Sequence, residues 1–276
     1  MIIDSHQHFW IFDLERDSWI TPEMGVIRKN FLPEDLKPVL KSNGVDGCVT
    51  VQASQTDSET DFLLQLAEAN DFVKGVVGWV DLRSPNLYGQ LEKYSQFEKL
   101  KGFRHVVQGE EEGFMLQPDF IKGVGQLVAF DFTYDILIRA NQLEEAFNFA
   151  VKLPNVKFVL DHIAKPLIKI GETVKWSTDI KRLAELPNVS CKVSGMVTEA
   201  DWQNWGKADF RPYLDVVFEA FGTERLLYGS DWPVCLVAAE YEGAKGILTD
   251  YLSMFSDSEM ASVMGQNAVK FYNLDV

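Results

Sequence analysis

Residues 1–10 read MIIDSHQHFW, a short apolar run from Ile2 that ends in two histidines, His6 and His8, one residue apart. Side chains at i and i+2 of a strand point to one face. The stretch therefore predicts a strand, IIDSHQHF, that presents both imidazoles to one side, with Asp4 one step below on the same face. The same beat recurs along the chain. VDGCVTVQ from Val45, FVKGVVGWVDL from Phe72, LKGFRHVVQ from Leu100, FTYDILI from Phe132, VKFVLDHI from Val156, VSCKVSG from Val189 and RLLYGSDWP from Arg225 are all β-branched or aromatic runs. Each precedes a stretch whose apolar residues are spaced near 3.6, such as PEDLKPVLKSNG or QLEEAFNFAVKL. Pro33, and Asp57 or Ser58, stand where helices begin. Eight strand-then-helix units predict an α/β fold, one (β/α)8 TIM barrel spanning residues 1–276 as a single domain, rather than an open sheet. Longer segments follow the first and sixth strands, at residues 9–31 and 164–175, on the face where barrel enzymes carry their sites.

Composition narrows the function classes. Of 276 residues, 46% are hydrophobic and 24% charged, ordinary for a globular chain. A net charge of −15 repels phosphate backbones and argues against a nucleic-acid partner. No basic, apolar leader opens the chain, and no run of ~18 apolar residues could span a membrane. Three scattered cysteines, Cys48, Cys191 and Cys235, suit neither a disulfide framework nor a cysteine metal site, and a reducing, cytoplasmic setting is expected. Nothing in the chain decides whether protomers associate.

Groups capable of acid–base work gather at predicted strand ends. His6 and His8 end the first strand, Arg104 and His105 the fourth, His162 the sixth and Asp231 the eighth. All four histidines of the chain occupy such positions, where barrel residues are functional rather than structural. Strand parity lets only one of Arg104 and His105 face inward, and Arg104 is the better candidate because a guanidinium grips a carboxylate or a pair of hydroxyls.

Together, MIIDSHQHFW, KGFRHVVQ, FVLDHIAKP, VSCKVSG and LLYGSDWPV resemble the amidohydrolase superfamily of metal-dependent-hydrolase barrels. They are closest in pattern to its lactonase branch, which contains L-fuconolactonases, L-rhamnono-lactonases and 2-pyrone-4,6-dicarboxylate lactonases. The resemblance covers essentially the whole chain. It implies hydrolysis of a lactone ester, with Asp231 as general base toward water, His6, His8 and His162 orienting and polarising the carbonyl, and the proton returned from Asp231 to the leaving ring hydroxyl. Asp4 would hold an imidazole in place.

Superfamily members often bind divalent metals, and His6, His8, His162 and Asp231 would suit a single zinc. The lysine that bridges binuclear centres has no counterpart here: Lys165 lies after its strand and Lys192 sits mid-strand. The branch includes metal-free members, and a lactone is electrophilic enough for hydrogen-bond donors to suffice. The expectation is therefore that no cofactor is required, with a single divalent metal as the alternative.

Trp10, Trp19, Trp79, Tyr134 and Trp232 crowd the predicted mouth, and Gln52, Gln55 and Asp135 supply polar groups beside them. Aromatic walls with hydrogen-bonding groups suit a sugar. Arginines near strand ends (Arg83, Arg104, Arg139) are too few for a polyanion, so a neutral aldonolactone such as L-fucono- or L-rhamnono-lactone is the expected substrate. The competing readings are a metal-dependent decarboxylase or amidohydrolase acting on an aromatic or muconate-type acid, and a catalytically silent sugar-binding barrel.

Overall fold

The computed structural model describes residues 1–276. Eight parallel strands follow in sequence order: β1 (Ile3–Gln7), β2 (Gly47–Val51), β3 (Val73–Gly78), β4 (Leu100–His105), β5 (Thr133–Ile136), β6 (Phe158–Leu160), β7 (Val189–Val193) and β8 (Leu226–Tyr228). The helices that return the chain are α1 (Pro33–Ser42), α2 (Asp57–Ala69), α3 (Leu87–Tyr94), α4 (Pro118–Gln126), α5 (Leu143–Lys152), α6 (Val174–Ala184), α7 (Lys207–Phe221) and α8 (Tyr241–Leu252). Two short helices, α9 (Asp257–Ala261) and α10 (Asn267–Tyr272), end the chain. Every predicted strand is present. Pro33 opens α1 as expected, whereas α2 is capped one residue earlier, by the Thr56 hydroxyl accepting from the Glu59 amide. No helix is long and apolar enough to cross a membrane, and all three cysteines are buried and unpaired.

Closure of the barrel depends on the residues that follow β8. The Asp231 amide donates to the His6 carbonyl at 2.8 Å and the His8 amide to the Trp232 carbonyl at 2.7 Å. The backbone that seals the barrel thus carries four of the predicted site residues. Gly229 permits this approach, since a Cβ there would lie 2.7 Å from the Cβ of His6.

The barrel interior changes character with height. At the bottom Ile3, Val49, Val51, Val77, Val159 and Leu227 pack against Ala268, Tyr272 and Leu274, so α10 and the tail plug that end with apolar surface. Above this lies a layer of buried charge made by Asp135, Lys192, Asp161 and Arg104. The imidazoles and Asp231 form the top layer, open to a cavity.

A register shift in β1 corrects one expectation. Asp4 pairs with Cys48 and Gln7 with Thr50, so three steps on β1 match two on β2. This bulge breaks the alternation between Asp4 and His6. Asp4 faces the helical layer, where it accepts from Tyr241 Oη at 2.9 Å and from the Ser230 amide at 2.9 Å. It touches His6 only through the backbone amide and holds no imidazole.

Candidate active site

The direction of the hydrogen bonds beneath the pocket follows from its two ends. Lys192 Nζ, which can only donate, lies 3.1 Å from His6 Nδ1. The carbonyl of Val51, which can only accept, lies 2.7 Å from His8 Nδ1. His6 Nε2 and His8 Nε2 are 3.2 Å apart. Arg104 Nη1, which also can only donate, lies 3.3 Å from His6 Nε2, so donors face both ring nitrogens of His6. His8 Nδ1–H donates to Val51, which leaves His8 Nε2 without a proton. Asp161 Oδ1 lies 3.3 Å from His6 Nδ1. Burial pushes the pKa of His6 well below the usual imidazole value and lowers that of His8, so both rings are neutral at neutral pH.

Lys192 is the inward residue of β7 and is fully buried. Its ammonium lies 2.5 Å from Asp135 Oδ2 and 3.1 Å from Asp161 Oδ1, and Tyr272 Oη donates to Asp135 at 2.8 Å. Arg104 faces inward, as parity predicts. Its guanidinium donates to Asp161 at 3.0 Å and to Gln52 Oε1 at 3.1 Å, and also to the Gln52 carbonyl. Burial alone would raise the pKa of Asp161, but Lys192 and His6 outweigh it and hold the carboxyl well below the usual range. Ions taken this far out of water persist only where each has its partner.

His162 is placed by an unusual backbone. His162, Ile163, Ala164 and Lys165 all have positive φ, at 54°, 47°, 62° and 49°. This left-handed conformation costs roughly 1–2 kcal/mol per residue for side chains with a Cβ, and such strain collects at functional sites. The turn ends the two-residue alternation of β6, so Asp161 and His162 both point inward. Ser194 Oγ lies 2.9 Å from His162 Nδ1, and a Cβ on Gly195, itself at φ 62°, would come within 2.4 Å of that nitrogen. Burial lowers the pKa of His162 to about 4.

Asp231 lies among the three rings, its Oδ1 3.4 Å from His8 Nε2, 3.8 Å from His162 Nε2 and 3.9 Å from His6 Nε2. Burial pushes its pKa upward, but His162 and the other imidazoles outweigh that effect and hold it below the usual carboxylate range. It is ionised at neutral pH.

A cavity of about 460 Å³ opens above these groups. His8, Arg104, His162 and Asp231 form its floor, and Arg16, Trp19, Gln55, Gln108 and Lys165 stand in its walls. Of the predicted substrate contacts, Arg104, Trp19 and Gln55 line it, while Gln52 lies beneath and grips Arg104. His6 is buried below His8 and does not line the cavity.

Six predicted contacts lie elsewhere, among them Trp79, whose Nε1 donates to His105 Nδ1 at 3.3 Å. His105 faces outward, stacks on Phe114 at 4.9 Å and pairs with Glu110 at 2.7 Å. Tyr134 is on the outer face of β5, packed on Phe149 and Phe158 beneath the helices. Asp135 points inward but one layer too deep, bound to Lys192. Trp10 and Trp232 pack on either side of Phe31 in the core. Asp161, Lys192, Ser194 and Gly195 were not anticipated as site residues, and Lys165 and Arg16 were not expected in the cavity wall.

His6, His8 and Asp231 offer three ligand atoms within 4.8 Å of one another, as do His6, Asp161 and His162. The donor set of imidazole and carboxylate fits one divalent ion such as zinc. In the first group His8 Nε2 offers a free lone pair, since its proton is on Nδ1.

The family model described as amidohydrolase matches residues 3–274. Over 99% of this chain and 96% of theirs, two L-fucono-1,5-lactonases are 38% identical (Burkholderia multivorans) and 34% identical (Burkholderia ambifaria). A crystal structure of an amidohydrolase from Burkholderia multivorans with bound zinc superposes over 100% of both chains, with a TM-score of 0.96 and 38% identity.

Proposed function

The chain belongs to the amidohydrolase family, and on that premise we propose that it hydrolyses a sugar lactone to the aldonic acid. The observation that carries the reading is Asp231: an ionised carboxylate among three neutral imidazoles, on the floor of a cavity large enough for a six-carbon sugar ring. The likeness to L-fucono-1,5-lactonases supports a neutral aldonolactone, L-fucono- or L-rhamnono-lactone, as the substrate.

In this reading Asp231 takes a proton from water as the water attacks the lactone carbonyl, then returns it to the ring oxygen as the ester opens. The histidines divide the remaining work unequally. His8 Nε2 has no proton for a carbonyl oxygen, because Nδ1–H is bound to Val51, so it positions Asp231 and the attacking water instead. His6 fixes His8. His162, with Nδ1 taking the Ser194 hydroxyl, turns Nε2–H into the cavity and is the one imidazole able to polarise the carbonyl.

A divalent ion, when held by His6, His8 and Asp231, would supply Lewis-acid polarisation or a more acidic water. Turnover does not require it in this reading, because ionised Asp231 already serves as base. Unpaired, buried cysteines suit a cytoplasmic location for such an enzyme.

A panel of aldonolactones, aromatic carboxylates and muconate-type acids, followed by pH-indicator absorbance and CO₂ release, tests the reaction class. Turnover of the aldonolactones is the expected result. Decarboxylation of an acid with no lactone opening would replace this reading with a metal-dependent decarboxylase.

A further inference from the structure

Addition of water creates a negative charge on the former carbonyl oxygen, and that charge needs donors, of which the floor of the cavity has few to spare. His8 Nε2 carries no proton. Arg104 directs Nη1 to Asp161 and His6 Nε2 and Nη2 to the carbonyl and side chain of Gln52, and its unpartnered Nε is buried. Arg16, in the wall, is committed to Asp17 at 2.7 Å and to the carbonyl of Ile11. His162 Nε2–H is one donor, and a tetrahedral oxyanion ordinarily takes two or more.

Lys165 is the cation of the cavity that no protein group claims. Its side chain lines the same space as His162 and Asp231, yet its ammonium makes no ion pair or hydrogen bond. Glu199 and Asp231 are the carboxylates whose charge it feels most. It is brought there by the strained turn that presents His162, as the last of four consecutive residues in the left-handed region. That conformation puts residues 162 and 165 over the same end of the barrel, where an extended continuation of β6 would carry Lys165 away.

We propose that Lys165 is a catalytic residue of the lactone hydrolysis, donating an N–H to the carbonyl oxygen as it becomes an oxyanion, in concert with His162. The step rests on the lactonase reading above. Water oxygen bonds to the carbonyl carbon while its proton passes to Asp231, and the C=O pair moves onto oxygen, where Lys165 and His162 hold it. The pair then returns to reform C=O, the bond from carbon to the ring oxygen breaks, and the proton on Asp231 goes to that oxygen. Lys165 keeps its own protons throughout, so the books balance without a further reactant.

The test is steady-state hydrolysis of the best aldonolactone by wild type, Lys165→Met, Lys165→Arg and Lys165→Ala, the last with and without added methylammonium. Circular dichroism confirms that each variant is folded. The expected result is a fall in kcat of about 10²–10³-fold in Lys165→Met, with KM within about threefold of wild type. Lys165→Arg should retain part of the loss, and methylammonium should raise kcat of Lys165→Ala in a saturable way. A kcat for Lys165→Met within about threefold of wild type overturns the proposal, as does an effect confined to KM, which would make Lys165 a binder of substrate hydroxyls. Should Lys165→Met not fold, the amine rescue decides alone, and its absence in folded Lys165→Ala counts against the role. A wild-type protein that opens no lactone is a different result, the failure of the lactonase reading itself.

Discussion

The ammonium of Lys192 lies 3.1 Å from Nδ1 of His6, at the centre of the barrel and out of reach of solvent. With Arg104 Nη1 3.3 Å from Nε2 on the other side, this contact places the ring of His6 between two cations. The same lysine neutralises Asp135 and Asp161, so one residue both stabilises the barrel interior and determines the state of the site.

Lys192→Met should therefore have two effects. Two buried carboxylates lose their cation, which costs about 3–5 kcal/mol in urea unfolding. Pairing the change with Asp135→Asn should recover part of that loss. In the folded fraction His6 loses the cation beside its ring, so zinc affinity should rise by about tenfold or more in a competitive chelator titration. Unchanged zinc affinity would show that Lys192 does not tune His6.

Gly195→Ala should harm activity more than its size suggests. The new methyl would meet His162 Nδ1 at 2.4 Å and force a residue with a Cβ to hold φ at 62°. A loss of about 1–2 kcal/mol in stability follows from the backbone alone. Displacing the His162 ring should lower kcat at least tenfold, measured on protein shown by circular dichroism to be folded.

The pH dependence follows from burial. An unfolded histidine takes up a proton below about 6.5, whereas native His162 stays neutral until about pH 4. The native state thus binds fewer protons in this window, and stability falls as pH drops from 6.5 toward 4, by about 3 kcal/mol from His162 alone. Activity should persist through pH 6 and be lost on the acid side only near pH 4–5, because Asp231 stays ionised and the rings neutral. A kcat/KM limb centred at 6.5 would contradict the assignment.

His105→Gln separates the outer face of β4 from the inner. His105 pairs with Glu110 and stacks on Phe114, away from the cavity. The variant should keep kcat and KM within about twofold of wild type while losing about 1 kcal/mol of stability. A large change in KM would return His105 to the substrate.

The eight-beat pattern made the barrel legible from the chain alone, and strand-end position singled out His6, His8, His162 and Asp231, which the fold brings together. Parity also chose Arg104 over His105 correctly. What escaped were the places where alternation breaks or where a residue contradicts its usual environment. The β1 bulge sends Asp4 to the outside although it lies two residues from His6. The left-handed turn after β6 brings neighbours Asp161 and His162 to one side and returns Lys165 to the cavity. Lys192 reads as a mid-strand charge, and full burial of a lysine is rare enough that composition points elsewhere. Trp10 and Trp232 follow strand ends in sequence, but the backbone that seals the barrel turns both rings into the core around Phe31.

The most direct test of the central claim is the rate of aldonolactone opening by protein stripped with chelator and assayed for residual metal, with Asp231→Asn measured beside it. The account expects full turnover in the stripped wild type and a loss of at least about 10³-fold in Asp231→Asn. Turnover that disappears with the metal and returns with zinc, or an Asp231→Asn variant that still opens the lactone, would contradict it.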